Sequence, residues 1–184
     1  MADNFSRLSE QLKAESDRGS VVLAAAWMDD QLTQLLLKFM LPPLSAKEDL
    51  IRAGSALGDV GTKISLAYRL GLIRPAVFRS LNILRRLRND FAHLSAPLSL
   101  DTDSVKDRVT ELFKLNEETL RVSWEVASEH PEMRTVLKEH SVNPGFESFV
   151  ALIGYRGTFN LTAAIIVSGL SLTVDQVEPV PELS

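Results

Sequence analysis

Pro75-Ala76-Val77-Phe78-Arg79-Ser80-Leu81-Asn82-Ile83-Leu84-Arg85-Arg86-Leu87-Arg88-Asn89-Asp90-Phe91-Ala92-His93 lies in one amphipathic helix that runs to about Ser95. Pro75 stands where a helix accepts proline, in the first turn, where its missing N–H costs nothing. Val77, Leu81, Leu84 and Phe91 recur in steps close to the helical period, the mark of a stripe facing a core. The same spacing places Arg88 in line with these core residues, where a guanidinium needs an anion or hydrogen-bond acceptors around it. A second stripe, Asn82, Arg86, Asn89 and His93, spans eleven residues, close to three turns, and shares one face. Asn89 and His93 are four residues apart and within reach of each other on that face.

Working outward from this helix, the chain keeps the same period. Phe5, Leu8 and Leu12 predict a short N-terminal helix. Gly19-Ser20 breaks it, and Ser20 suits the N-cap of the next helix, Val21 to Leu41, which Pro42-Pro43 ends. A small helix is expected at about Ala46 to Ala53, then a helix over Thr62 to Leu70 with Ile64, Ala67 and Tyr68 inward and Gly71 as its stop. After a loop at Pro97 and Ser99 to Asp103, capped by Asp101 or Ser104, a long helix runs from about Val105 to Glu129, with Val109, Leu112, Asn116 and Leu120 on one face. A short helix follows Pro131 to His140. Asn143-Pro144-Gly145 makes a turn, and a last long helix covers about Phe146 to Leu172. No segment alternates with period two. The expectation is an all-α, HEPN-like single bundle of about seven or eight helices over residues 1–174, with 175–184 as a disordered tail.

Composition narrows the function. The 184 residues suit one domain, and 45% hydrophobic with 24% charged residues is ordinary for a globular protein. A net charge of −4 argues against a bulk nucleic-acid binder. With no cysteine there is no thiolate metal site, disulfide framework or cysteine nucleophile, and the composition suits the cytoplasm. The three histidines lack metal-ligand spacing, and no cofactor motif is present, so neither a metal nor a cofactor is expected. Met1 to Arg18 lacks the apolar core of a signal peptide. Gly157 to Val174 carries no charge, but its strongly apolar part, Leu161 to Leu172, is too short to span a bilayer and is expected to be a core helix rather than a membrane segment.

Charge is unevenly placed. Residues 60–89 hold Lys63, Arg69, Arg74, Arg79, Arg85, Arg86 and Arg88 and no acid, leaving 13 basic against 24 acidic residues elsewhere, a balance of −11. One reading is a polyanion site for RNA, DNA or a nucleotide, with Arg79, Arg85 and Arg86 as the nucleic-acid contacts. The other is a helix face paired with acids elsewhere in the bundle, such as those between Asp101 and Glu118. Arg88, Asn89 and His93 have the chemistry to handle a phosphodiester without metal: histidine to move a proton, arginine to stabilise charge at phosphorus, asparagine to fix the imidazole tautomer. A structural cluster at a helix–helix or dimer contact accounts for the same residues. A helix-turn-helix over 62–95 fails, because Val77 and Phe78 near the start of its second helix look like core and offer no base-reading chemistry. His130 and His140 read as helix-end histidines, Asp29-Asp30 and Glu117-Glu118 as surface charge, and Trp27 and Trp124 as core or interface aromatics.

Leu57-Gly58-Asp59-Val60-Gly61-Thr62-Lys63-Ile64-Ser65-Leu66-Ala67-Tyr68-Arg69-Leu70-Gly71-Leu72-Ile73, followed by a helix ending Leu87-Arg88-Asn89-Asp90-Phe91-Ala92-His93, resembles the mannitol operon repressor (MltR/MtlR) family. The resemblance covers about residues 57–93 and extends loosely over the preceding long helix. It implies an all-helical transcription regulator acting on nucleic acid directly or through a protein partner. The Arg88, Asn89, His93 spacing also resembles the signature of HEPN domains, helical bundles that commonly dimerise. In their ribonuclease members the arginine and histidine cut RNA at the dimer interface, without metal. The leading expectation is a homodimeric regulator that is not an enzyme. The alternative is a metal-independent ribonuclease of a toxin or defence system, and a third reading is a protein-interaction module.

Overall fold

The computed structural model describes residues 2–45, 50–52, 54–93, 98–128, 135 and 146–181. Among these, six helices and no strand are present: α1 (Ala2–Ala14), α2 (Asp17–Phe39), α3 (Val60–Arg69), α4 (Pro75–His93), α5 (Asp103–Ser128) and α6 (Phe146–Gln176). The all-α bundle is therefore as expected. The short helices expected at 46–53 and 131–140 fall largely outside the described residues, and Leu50–Arg52 and Gly54–Leu57 form bends and turns.

Three helices make the centre. α2 packs against both α4 and α6, α5 closes the bundle against α4 and α6, and α1 lies on α6. Leu32, Leu35 and Leu36 of α2, Leu81, Leu84 and Leu87 of α4, and Phe159 and Ala163 of α6 are wholly or almost wholly buried in one cluster. Each such leucine or phenylalanine contributes about 1.5–3 kcal/mol of transfer free energy, so this cluster is the main source of stability. A smaller cluster of Leu120, Trp124 and Phe146 joins the far ends of α5 and α6, with Trp124 stacked on Phe149 at 4.3 Å.

The uncharged stretch in α6 is a core helix. Phe159, Ala163, Ala164, Val167 and Leu170 are buried, and Thr158 and Thr162 satisfy their hydroxyls on carbonyls one turn back. α6 is long and apolar enough to cross a membrane, but it is bent at Gly154, whose φ of 62° and ψ of −170° leave the helical region. Glycine takes that conformation without a Cβ clash.

The start of α2 differs from expectation. α2 begins at Asp17, because Ser16 accepts the Gly19 amide at 3.1 Å and is the N-cap. Ser20 is instead buried in the second turn and donates to the Leu12 carbonyl at 2.9 Å, tying α1 to α2. Tyr68 is exposed rather than inward, lying 4.8 Å from the Phe78 ring. At the far end α6 continues to Gln176. Val177 packs on the core, and the Val180 amide donates to the Phe39 carbonyl at 2.8 Å, within the segment expected to be a tail.

Candidate functional site

The end of α4 distributes its six signature residues among different tasks. Phe91 is buried in the main core. Asp90 pairs with Arg108 of α5. The Ala92 carbonyl accepts from Arg18 of α2 at 3.2 Å, so a cation sits at the negative end of the helix. Arg88 and Asn89 face open space, and Arg88 donates from Nη1 to Asn89 Oδ1 at 3.2 Å. The side chain of His93 lies outside the described residues, as does any hydrogen bond it makes with Asn89.

Arg88 is exposed, against the expectation that it would interrupt the core stripe. The buried line is Leu81, Leu84, Leu87 and Phe91. Arg88 stands at the border of that line, and its long stem carries the guanidinium out to solvent.

Arg88 and Asn89 line a cleft of about 440 Å³ together with Arg85. One wall is α2, with Val22, Ala25, Ala26, Met28 and Asp29, and the other is the entry to α3, with Gly58, Asp59 and Val60. Both acids in the cleft are already engaged. Asp59 is the N-cap of α3 and accepts the Thr62 amide at 3.0 Å. Asp29 accepts from Lys63 at 2.7 Å, and Lys63 also donates to Thr33 at 2.9 Å.

Arg85 is half-buried beside the first turn of α3. A Cβ on Gly61 would stand 2.9 Å from Asp59 Oδ2 and 3.3 Å from Arg85 Nη1, so the capping carboxylate and the guanidinium both crowd this glycine. The Nε of Arg85 is buried with no acceptor among the described residues, and no carboxylate pairs with it.

The basic block therefore divides. Lys63 is 3% exposed and serves the α2–α3 contact, so it belongs to the interior and not to a polyanion surface. Arg79 and Arg86 are exposed on the outer face of α4, while Arg85 turns into the cleft, about 100° around the helix from Arg86. The three arginines expected to contact nucleic acid do not form one face. Asn82 of the expected polar stripe turns back to the Phe78 carbonyl at 3.0 Å. Among the described residues no group of acids and histidines has metal-site geometry.

A second hollow, about 380 Å³, runs between α5 and the kinked start of α6, lined by Val109, Phe113 and Lys114 on one side and Val150, Ala151 and Tyr155 on the other. Exposed Val122 and Leu152 belong to the same pair of helices. Sequence reading missed this groove, because it depends on how two distant helices meet at the Gly154 bend.

No family model matches the chain, and no curated protein matches it. Among solved structures it is similar to a chain of the X-ray structure of the MtlR–HPr complex from Escherichia coli, with 19% identity and a TM-score of 0.59, covering 92% of this chain and 99% of that one. The likeness is one of fold and runs almost end to end.

Proposed function

We propose that this chain is a transcription regulator of the mannitol-repressor type that works in the cytoplasm as a homodimer and acts through a protein partner. The observation that carries the reading is the end-to-end fold likeness to a protein seen in complex with HPr. The residues of 57–73 and 87–93 that resemble the mannitol operon repressors support it independently. The absence of a base-reading helix in α3–α4 favours a partner-mediated route over direct recognition.

The surface best suited to the partner is the α5–α6 groove. Its lining is largely apolar, with exposed Tyr155 and Leu152 at hand, and the outer side of α5 carries exposed Asp107, Glu111, Glu118 and Glu125. An aromatic anchor beside charge is the usual make-up of an interface centre and its rim. Calorimetric titration of the purified chain with HPr tests this. Saturable binding, weakened about tenfold or more by Tyr155→Ala, is the expected result. Absence of binding removes the partner-mediated reading. Salt-sensitive DNA binding lost in Arg79→Ala and Arg86→Ala would replace it with direct regulation.

A second reading, a metal-independent HEPN-type ribonuclease, is favoured by one observation: Arg88 and Asn89 sit side by side at an open cleft. In it Arg88 stabilises charge at phosphorus, His93 moves the proton and Asn89 orients the imidazole. RNA incubated with the protein and a chelator should then be cut, and His93→Ala should abolish cutting. Intact RNA, or equal cleavage by the variant, rules this reading out.

A further inference from the structure

We propose that the α2–α3–α4 cleft binds a small phosphate, free or as a monoester, through Arg85, Arg88 and Asn89. It is independent of the partner-mediated reading and shares Arg88 and Asn89 with the ribonuclease reading, which further needs His93 and RNA cleavage.

Arg85 lines the cleft from α4. Its guanidinium is half-buried and, among the described residues, has no acid partner and no acceptor for its buried Nε. It lies against the first turn of α3, where a Cβ built on Gly61 would meet its Nη1 at 3.3 Å and the capping Asp59 Oδ2 at 2.9 Å. Arg88, a second cation without a carboxylate partner among the described residues, lines the same cleft. Two guanidinium groups around one space repel one another, and a desolvated unpaired cation is costly. Asp29 is held by Lys63, and Asp59, which caps α3, is one carboxylate against the two guanidinium groups. A bound anion relieves the repulsion that is left.

The donors suit a tetrahedral oxyanion better than a second protein's flat surface. Asn89 accepts from Arg88 at Oδ1, which fixes the amide beside the guanidinium. Arginine forks match phosphate oxygens in pairs. The opposite wall is small and apolar at Ala25 and Ala26, with exposed Val22 beside them, and leaves room for the body of a monoester next to the phosphate.

The full chain is titrated calorimetrically with inorganic phosphate and, separately, with adenosine monophosphate, at fixed ionic strength. Saturable one-site binding is expected. Arg85→Gln and Arg88→Gln should each weaken it about tenfold or more, while Arg79→Gln and Arg86→Gln on the outer face leave it unchanged. Tighter binding of the nucleotide assigns the site to a monoester, and equal binding assigns it to free phosphate. Should Arg85→Gln lower the melting temperature, Arg85→Lys keeps the charge and serves in its place, with the loss of the paired fork still weakening binding. No saturable binding overturns the proposal. So does equal weakening by inner and outer arginine variants, which would mean diffuse charge, and so does binding confined to an RNA oligonucleotide. None of these results bears on HPr binding, so the two ideas fail separately.

Discussion

Lys63 shows what the basic block hides. It is the most buried cation of the block, and its ammonium is held by Asp29 and Thr33 across the α2–α3 contact. Asp29→Ala should strand that charge and cost about 2 kcal/mol, below the figure for a fully buried pair because Asp29 is half-exposed. The double variant with Lys63→Met should cost less than the two single variants added together, as urea denaturation can measure; strict additivity would mean the pair does not interact. Sequence reading found the block but not this division, because a lysine at a helical core position looks the same as a surface one until its partner, 34 residues away, is in place. Arg88 was misjudged for the opposite reason. Its register matches the core stripe, but register fixes only where the Cβ points, and a long side chain at the stripe's border reaches water.

At the scale of elements, the helices were legible because each carries its own period and its own stop. Gly71, with a φ of 74°, ends α3 while the Leu72 amide returns to the Ala67 carbonyl at 2.9 Å, as a glycine after a helix leads one to expect. The start of α2 was less legible, since Ser16 and Ser20 are both credible caps and only the contact with α1 decides between them. For α3, Asp59→Ala should cost about 1 kcal/mol by removing the N-cap, without changing the helix count, as denaturation and circular dichroism can show. The end of α5 and the start of α6 are joined by Arg121, which bonds Glu117 and Glu147 at 2.8 and 2.7 Å. The hydrogen bond from Arg121 holds the Glu147 carboxyl below the usual carboxylate range. A lowered folded value means that this contact stabilises the protein above the ordinary glutamate range and is lost as pH falls through the lowered value. The stability difference between the parent and Glu147→Gln should therefore be present at neutral pH and vanish in acid. A difference that persists at low pH would show that the contact is not ionic.

The whole molecule separates two surfaces that the sequence presents as one question. The α4 side has a cleft walled by arginines, and the α5–α6 side has an apolar groove beside exposed acids. The first was partly visible, since the acid-free run and the Arg88-Asn89 pair mark it in one stretch of chain. The second was not, because its walls are about forty residues apart in sequence and meet only through the Gly154 bend. The two are set on different helices, so the protein has room to bind a partner on one face and a small anion on another. Hydrogen–deuterium exchange of the full chain with and without HPr tests whether the α5–α6 groove is the docking face. Addition of HPr should slow exchange over residues 109–114 and 150–158 and leave 75–93 unchanged. Unaltered exchange throughout, or protection confined to α4, would contradict it.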